Sequence, residues 1–193
     1  MTAPDRLPDF PSSGCAVVIG GSGGIGQAIA LQLAERGCDI ALNYFSNIAG
    51  AEETAARVRR AGREVHVGQV DLRDEALVKQ FVDEAGQHFG GVHTAIYAAG
   101  PYIPMRFVSQ QPAATFREVM EHDAFGCYHL VQASLPHLRT AKGSFTAIVT
   151  PAIRRYATKD ILSAAPKAAI EQIVKAIAAE EGRFGVRANA VGV

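Results

Sequence analysis

Short apolar runs alternate along this chain with longer segments whose apolar residues recur every three to four positions, the signatures of buried strands and of amphipathic helices. A run at residues 16–19 is followed by a helical period over 25–36, a second run over 39–45 and a second helical period over 48–61. The alternation continues with a strand at 64–70, a helix at 74–89, a strand at 92–98 and one long helix within 112–138. A strand at 145–150, a helix within 163–181 and a strand at 186–191 complete it. Apolar strands, each returned by a helix, predict an α/β fold: a Rossmann-type, doubly wound parallel sheet of six strands in the order 3-2-1-4-5-6, with helices on both faces. Gly37, Gly62, Gly90 and Gly182 each follow a helical stretch, where a left-handed residue closes a helix. Residues 101–112 are too polar and proline-rich for a strand and are expected to loop over a cleft.

Composition narrows the function without naming it. With 193 residues, 48% of them apolar, the chain can bury one substantial core and is too short for two comfortable domains, so residues 15–193 read as a single domain. Residues 1–14 hold three prolines and two aspartates but no signal-like apolar stretch, and read as a loose leader. Lysine plus arginine equals aspartate plus glutamate at 19 each, so no overall field draws the protein to nucleic acid or to an anionic membrane. No run reaches the roughly 18–20 apolar residues of a membrane helix, and a small-molecule partner is expected. Cys15, Cys38 and Cys127 show no C-x-x-C spacing for zinc or redox work and read as buried, reduced thiols of a cytoplasmic protein.

The chemistry begins at Gly20-Gly21-Ser22-Gly23-Gly24-Ile25-Gly26, placed between an apolar strand and an amphipathic helix. In that setting glycines let the backbone turn tightly and approach a pyrophosphate, and the first turn of the helix offers unpaired N–H groups at the positive end of its dipole. The bland alternative is a glycine-rich turn that binds nothing.

The spacing of Gly20, Gly24 and Gly26 resembles that of the short-chain dehydrogenase/reductase family, and later segments resemble it too: Asp71-Leu72 after the third strand, Ala98-Ala99-Gly100 after the fourth, the helix carrying Lys167, and the last strand from Val186 to Val191. The resemblance implies a nicotinamide dinucleotide held by Gly20, Ser22, Gly23, Gly24, Ile25 and Gly26, by Asp71 and Leu72 at the adenine, by Ala98, Ala99 and Gly100, and by Lys167 at a ribose. It further implies an active site of Asn, Ser, Tyr and Lys, of which only Lys167 is retained. Ser163 stands at the tyrosine position, Thr150 at the serine and Asp123 at the asparagine.

Reducing a ketone requires a proton for the developing alkoxide, and a phenol of pKa about 10 beside an ammonium suits that task far better than an aliphatic hydroxyl. The Thr150 hydroxyl can still donate to a carbonyl oxygen, whereas an Asp123 charge opposes an oxyanion. Pro166 disfavours helical angles at Ala165, so the helix is expected to begin at Pro166, leaving Ser163 and Lys167 free of a common face or Ser163 as a cap. Tyr156 reads as a surface residue, and Tyr97 and Tyr102 as flanking the nicotinamide side.

An acid about 20 residues past the glycines selects NAD through its 2′-hydroxyl. The second strand ends instead in Asn43, Tyr44, Phe45 and Ser46, which favours NADP with NAD still open; the family's usual basic residues are also absent. The family's further substrate lid and seventh strand are not expected within these residues. The leading reading is an NADP(H)-dependent short-chain oxidoreductase acting on a carbonyl or alcohol, forming a homo-oligomer. The alternative is a weak or inactive cofactor-binding pseudoenzyme, or a structural subunit paired with an active relative. Association is expected through the helices within 112–138 and 163–181, the latter bearing the small residues Ala165, Ala169, Ala176 and Ala179.

Overall fold

The computed structural model describes residues 10–193; the greater part of the expected leader lies outside the described residues. Six parallel strands form one sheet in the order β3-β2-β1-β4-β5-β6. They are β1 (Cys15–Ile19), β2 (Asp39–Tyr44), β3 (Val65–Gln69), β4 (Val92–Tyr97), β5 (Ser144–Val149) and β6 (Arg187–Gly192). The helices are α1 (Gly24–Glu35), α2 (Ile48–Arg60), α3 (Glu75–Phe89), α4 (Ala113–Met120), α5 (Gly126–Ala141) and α6 (Ile161–Glu181).

Strand β1 is buried at every position because both of its faces are covered. Ala16 and Val18 join Ile40, Leu42, Ala30 and Val58 on the side of α1 and α2. Cys15, Val17 and Ile19 join Phe81, Leu130, Phe145 and Ile170 on the other side. The alternation is the period of two that a pleated strand imposes. All three cysteines are buried free thiols, and burial raises that of Cys38 to about 12, which suits packing and not nucleophilic work. Ahead of β1, Phe10 stacks on His93 with ring centroids 5.5 Å apart, and the Gly14 N–H donates to Phe89 O at 2.9 Å.

Three local expectations are corrected. Helix α6 does not begin at Pro166 but runs through it from Ile161. Asp160 starts the helix: its carbonyl accepts from the Ser163 and Ala164 N–H groups at 3.1 and 2.8 Å. Leu162, Ala164, Pro166 and Ile170 are all buried, and that packing offsets the roughly 3 kcal/mol cost of an interior proline. Gly182 is not left-handed (φ −55°); the chain tightens through Gly182–Phe184 and closes on Gly185 at φ 82°. Gly37, Gly62 and Gly90 do have positive φ, at 92°, 75° and 78°. The long helix within 112–138 is divided into α4 and α5 by a π-helical turn at Glu121–Phe125.

Between β1 and α1 the backbone is packed too tightly for side chains. Gly20 sits at φ 85°, and a Cβ there would lie 2.8 Å from the Ala98 carbonyl and the Ala99 nitrogen. A Cβ on Gly26 would stand 2.1 Å from Gly20 O, whereas one on Gly24 would meet nothing within 4 Å. Gly26→Ala is therefore expected to destabilise the fold by about 1–3 kcal/mol, as overpacking does, while Gly24→Ala leaves the melting temperature within a few degrees of wild type; thermal unfolding checks both.

Candidate active site

The strand order reverses between β1 and β4, and their carboxyl ends open a cleft at that point, where doubly wound sheets bind ligands. Its volume is about 180 Å³. Larger hollows exist, one of about 650 Å³ beside Asp71 and Lys79 and one of about 590 Å³ beside His93 and Gly14, the latter away from the carboxyl ends of the strands. One wall of the cleft is the turn at Gly20, Ser22 and Gly23; another is Ala98, Ala99 and Gly100 after β4; Leu72 closes the floor. Helix α1 opens with no side-chain cap and no acid in its first turn, so the positive end of its dipole is unopposed beside the open Gly24. Ile25 is exposed next to it.

Several expected ligand residues are engaged within the protein. Asn43 is buried; its Oδ1 accepts from the Gly20 N–H at 2.7 Å and so braces the glycine turn. Tyr44 packs partly into the core beside α1 and α2, and Ser46 is exposed beyond it. Asp71 receives hydrogen bonds from the Arg73 backbone N–H and from its guanidinium, the shortest at 2.6 Å, and these hold its carboxyl below the usual range. The Arg73 guanidinium also stands 5.9 Å from the Phe45 ring centroid, which brings a cation near the end of β2 that spacing had not revealed. Phe45 in turn meets the His122 ring edge-on at 6.1 Å, and both line the cleft.

Asp123 and Lys167 are brought together. Lys167 Nζ donates to Asp123 Oδ1 at 2.9 Å and to Ala99 O at 2.8 Å, with the two side chains 12% and 3% exposed, so this is a nearly buried ion pair. Tyr97 completes the network: its hydroxyl donates to Asp123 O at 2.9 Å, with Oδ1 at 3.1 Å. Tyr97 is fully buried. Burial, with Asp123 beside it, pushes its phenol well above the ordinary tyrosine range, so it does not replace the missing acid.

Because α6 is continuous, Ser163 and Lys167, four residues apart, share one face after all. Burial raises the pKa of the Asp160 carboxyl, against the opposing effect of the neighbouring Ser163 side chain. The Thr150 hydroxyl accepts from the Ala152 N–H at 3.3 Å. Among the described residues neither hydroxyl bonds Lys167 or Asp123. Tyr156 is exposed, and so is Tyr102.

Residues 20–193 match the family model described as enoyl-(acyl carrier protein) reductase. The chain belongs to the short-chain dehydrogenase/reductase family. It is 28% identical over 179 residues to L-fucose dehydrogenase of Rattus norvegicus, covering 91% of this chain and 63% of that one. It is 29% identical over 183 residues to hydroxynaphthalene reductase of Aspergillus fumigatus, covering 94% and 66%. NAD+-bound xylitol dehydrogenase superposes with a TM-score of 0.90 at 27% identity, over 95% of this chain and 70% of that structure. Carveol dehydrogenase of Mycobacterium avium in complex with NAD shares the fold, with a TM-score of 0.88 at 24% identity over 93% and 69%. The chain spans 59–63% of the length of the first curated relatives it matches.

Removing one partner of a buried ion pair strands the other charge, at about 3–5 kcal/mol. Asp123→Ala should therefore lower the melting temperature by roughly 10 °C, and Asp123→Asn, which keeps an acceptor for Lys167 and Tyr97, by clearly less; scanning calorimetry of the two variants checks the order.

Proposed function

We propose that this chain is a short-chain oxidoreductase that holds NADP(H) in the cleft between β1 and β4 and acts on a small carbonyl or alcohol. The observation that carries the reading is the glycine turn. Gly20 and Gly26 are fixed by close backbone contacts, while Gly23 and Gly24 are left open at the uncapped start of α1. That arrangement suits a pyrophosphate. The relatives named as dehydrogenases and reductases support the reaction class.

The nicotinamide supplies or takes the hydride when bound. The chain's own contribution is then positioning and the proton. Lys167, anchored on Ala99 O, would present its remaining donor capacity to ribose hydroxyls. The Thr150 hydroxyl would donate to the substrate oxygen. The absence of a carboxylate at the end of β2 removes repulsion against a 2′-phosphate, and the Arg73 guanidinium near Phe45 is a nearby cation, which favours NADP over NAD. In the same reading the protein is cytoplasmic and associates through α4, α5 and α6. Phe125 and Tyr128 are exposed on that surface at 57% and 47%, as a partner helix would require. No described helix is long and apolar enough to cross a membrane.

Proton delivery is the weak step. Ser163 offers no phenol, and the Lys167 charge that would assist an acid is matched by Asp123. General acid catalysis is typically worth about 10²- to 10⁴-fold, so wild-type reduction of activated ketones is expected to be slow. Ser163→Tyr, alone and with Asp123→Asn, should raise NADPH oxidation on such ketones at least tenfold with little change in cofactor affinity. No gain in either variant, with the cofactor bound, would favour a binding subunit without turnover. Fast wild-type turnover that survives Ser163→Ala would show that another group supplies the proton.

A further inference from the structure

At the end of the sheet opposite the cleft, two imidazoles and two carboxylates stand together. His66 lies near the start of the edge strand β3 and His88 near the end of α3, just before β4, so the group sits at the amino ends of the strands. Glu84 is four residues before His88 on α3 and shares its face, and Glu64 directly precedes β3. The two imidazole rings are 6.2 Å apart between centroids. His66 Nε2 stands 3.7 Å from Glu84 Oε2, and His88 Nε2 stands 3.5 Å from Glu64 Oε2. Among the described residues neither carboxylate is paired with a lysine or an arginine.

These separations are long for hydrogen bonds, and His66 Nε2 is buried with no hydrogen-bond partner among the described residues. A buried ring nitrogen left in that state calls for a ligand or a water. Two ligand atoms on a tetrahedral zinc, each bonded at about 2.0–2.1 Å, lie roughly 3.4 Å apart, which is close to both spacings. The surroundings already orient the first two ligands. The His66 ring stacks on Phe81 at 5.6 Å, and Glu84 Oε1 accepts from Gln80 Nε2 at 2.8 Å, which leaves Oε2 toward the imidazole. Among the described residues no three such side chains already enclose a position for an ion, so the set closes only when a cation draws His88 and Glu64 inward. Those two side chains are 53% and 74% exposed, which leaves them room to turn.

We propose that His66, Glu84 and His88, completed by Glu64, bind a divalent transition-metal cation of the zinc type. Imidazole nitrogens combined with carboxylate oxygens suit zinc, and two carboxylates balance its charge, whereas magnesium and calcium favour sets made of oxygen alone. The bound cation ties β3, the outermost strand on its side of the sheet, to α3. Because the group lies at the opposite ends of the strands from the cleft, the proposal stands apart from the dinucleotide reading and neither needs the other.

Calorimetric titration of the folded protein with Zn²⁺, beside thermal unfolding with and without the cation, tests it. Wild type is expected to take up a single zinc per chain and to melt higher in its presence, as a ligand of the native state requires. His88→Ala changes an exposed position and should keep the fold while weakening zinc at least about tenfold, and so should Glu84→Gln. His66→Gln, which removes the buried imidazole, should weaken zinc by at least as much. Magnesium in excess should not displace the zinc. No stoichiometric uptake by the folded wild type, uptake that is unchanged in both His88→Ala and His66→Gln, or displacement of the zinc by magnesium would overturn the proposal.

Discussion

The structure turns on a contact between backbones. Gly20 packs against the Ala98–Ala99 peptide with no room for a side chain, and Gly26 packs against Gly20. These approaches place the end of β1 against the end of β4 and start α1 within a few residues of both. Asn43 holds the turn from the β2 side through the Gly20 N–H. The cleft, its free helix terminus and the proximity of Ala99 to Lys167 all follow from that one closure. The two glycines that make no such contact, Gly23 and Gly24, are the ones left facing outward. Tightly packed glycines and outward-facing glycines are thus interleaved in a single motif.

On the other side of the cleft the network of Asp123, Lys167 and Tyr97 sets what chemistry is available. Two donors converge on the Asp123 carboxylate, from an ammonium and from a buried phenol. The pairing fixes the position of Lys167 and offsets its charge in the same act. A lysine so placed is well suited to positioning a ligand and less suited to sharpening a neighbouring acid. Ser163, whose N–H donates to Asp160 O, is not drawn into this network. In the proposed function, cofactor binding and proton transfer therefore rest on different parts of the molecule, and a change in one need not alter the other.

The fold was legible because it is written in periods. Strands buried on both faces, helices of ordinary period and glycines after α1, α2 and α3 gave the order of elements along the chain, and the strand order followed from reading that alternation as a Rossmann fold. What escaped were features that depend on tertiary packing. Pro166 carries a local signal against helix, and buried neighbours such as Leu162 and Ile170 override it. Gly182 looks like a terminator, yet the chain needs one more tight turn before Gly185. The π-helical turn has no sequence period of its own, so nothing in the pattern places His122 in the cleft or Tyr97 against Asp123. The glycine turn was legible from its spacing between a strand and a helix, and Lys167 only through the family resemblance, but the internal engagement of Asn43 and Asp71 was not, because it depends on Gly20 and Arg73 in three dimensions. The Arg73 guanidinium beside Phe45 was hidden for the same reason.

The central claim is that the glycine turn is a dinucleotide site, and calorimetric titration of folded wild-type protein with NADP(H) and NAD(H), beside Gly24→Leu, tests it most directly. A Cβ on Gly24 would meet nothing within 4 Å, so the substitution is expected to act mainly on the ligand. The account predicts binding of both dinucleotides, tighter for NADP(H), and loss of that binding in Gly24→Leu with the melting temperature preserved. No heat with either dinucleotide, or unchanged binding in the Gly24→Leu protein, would contradict it.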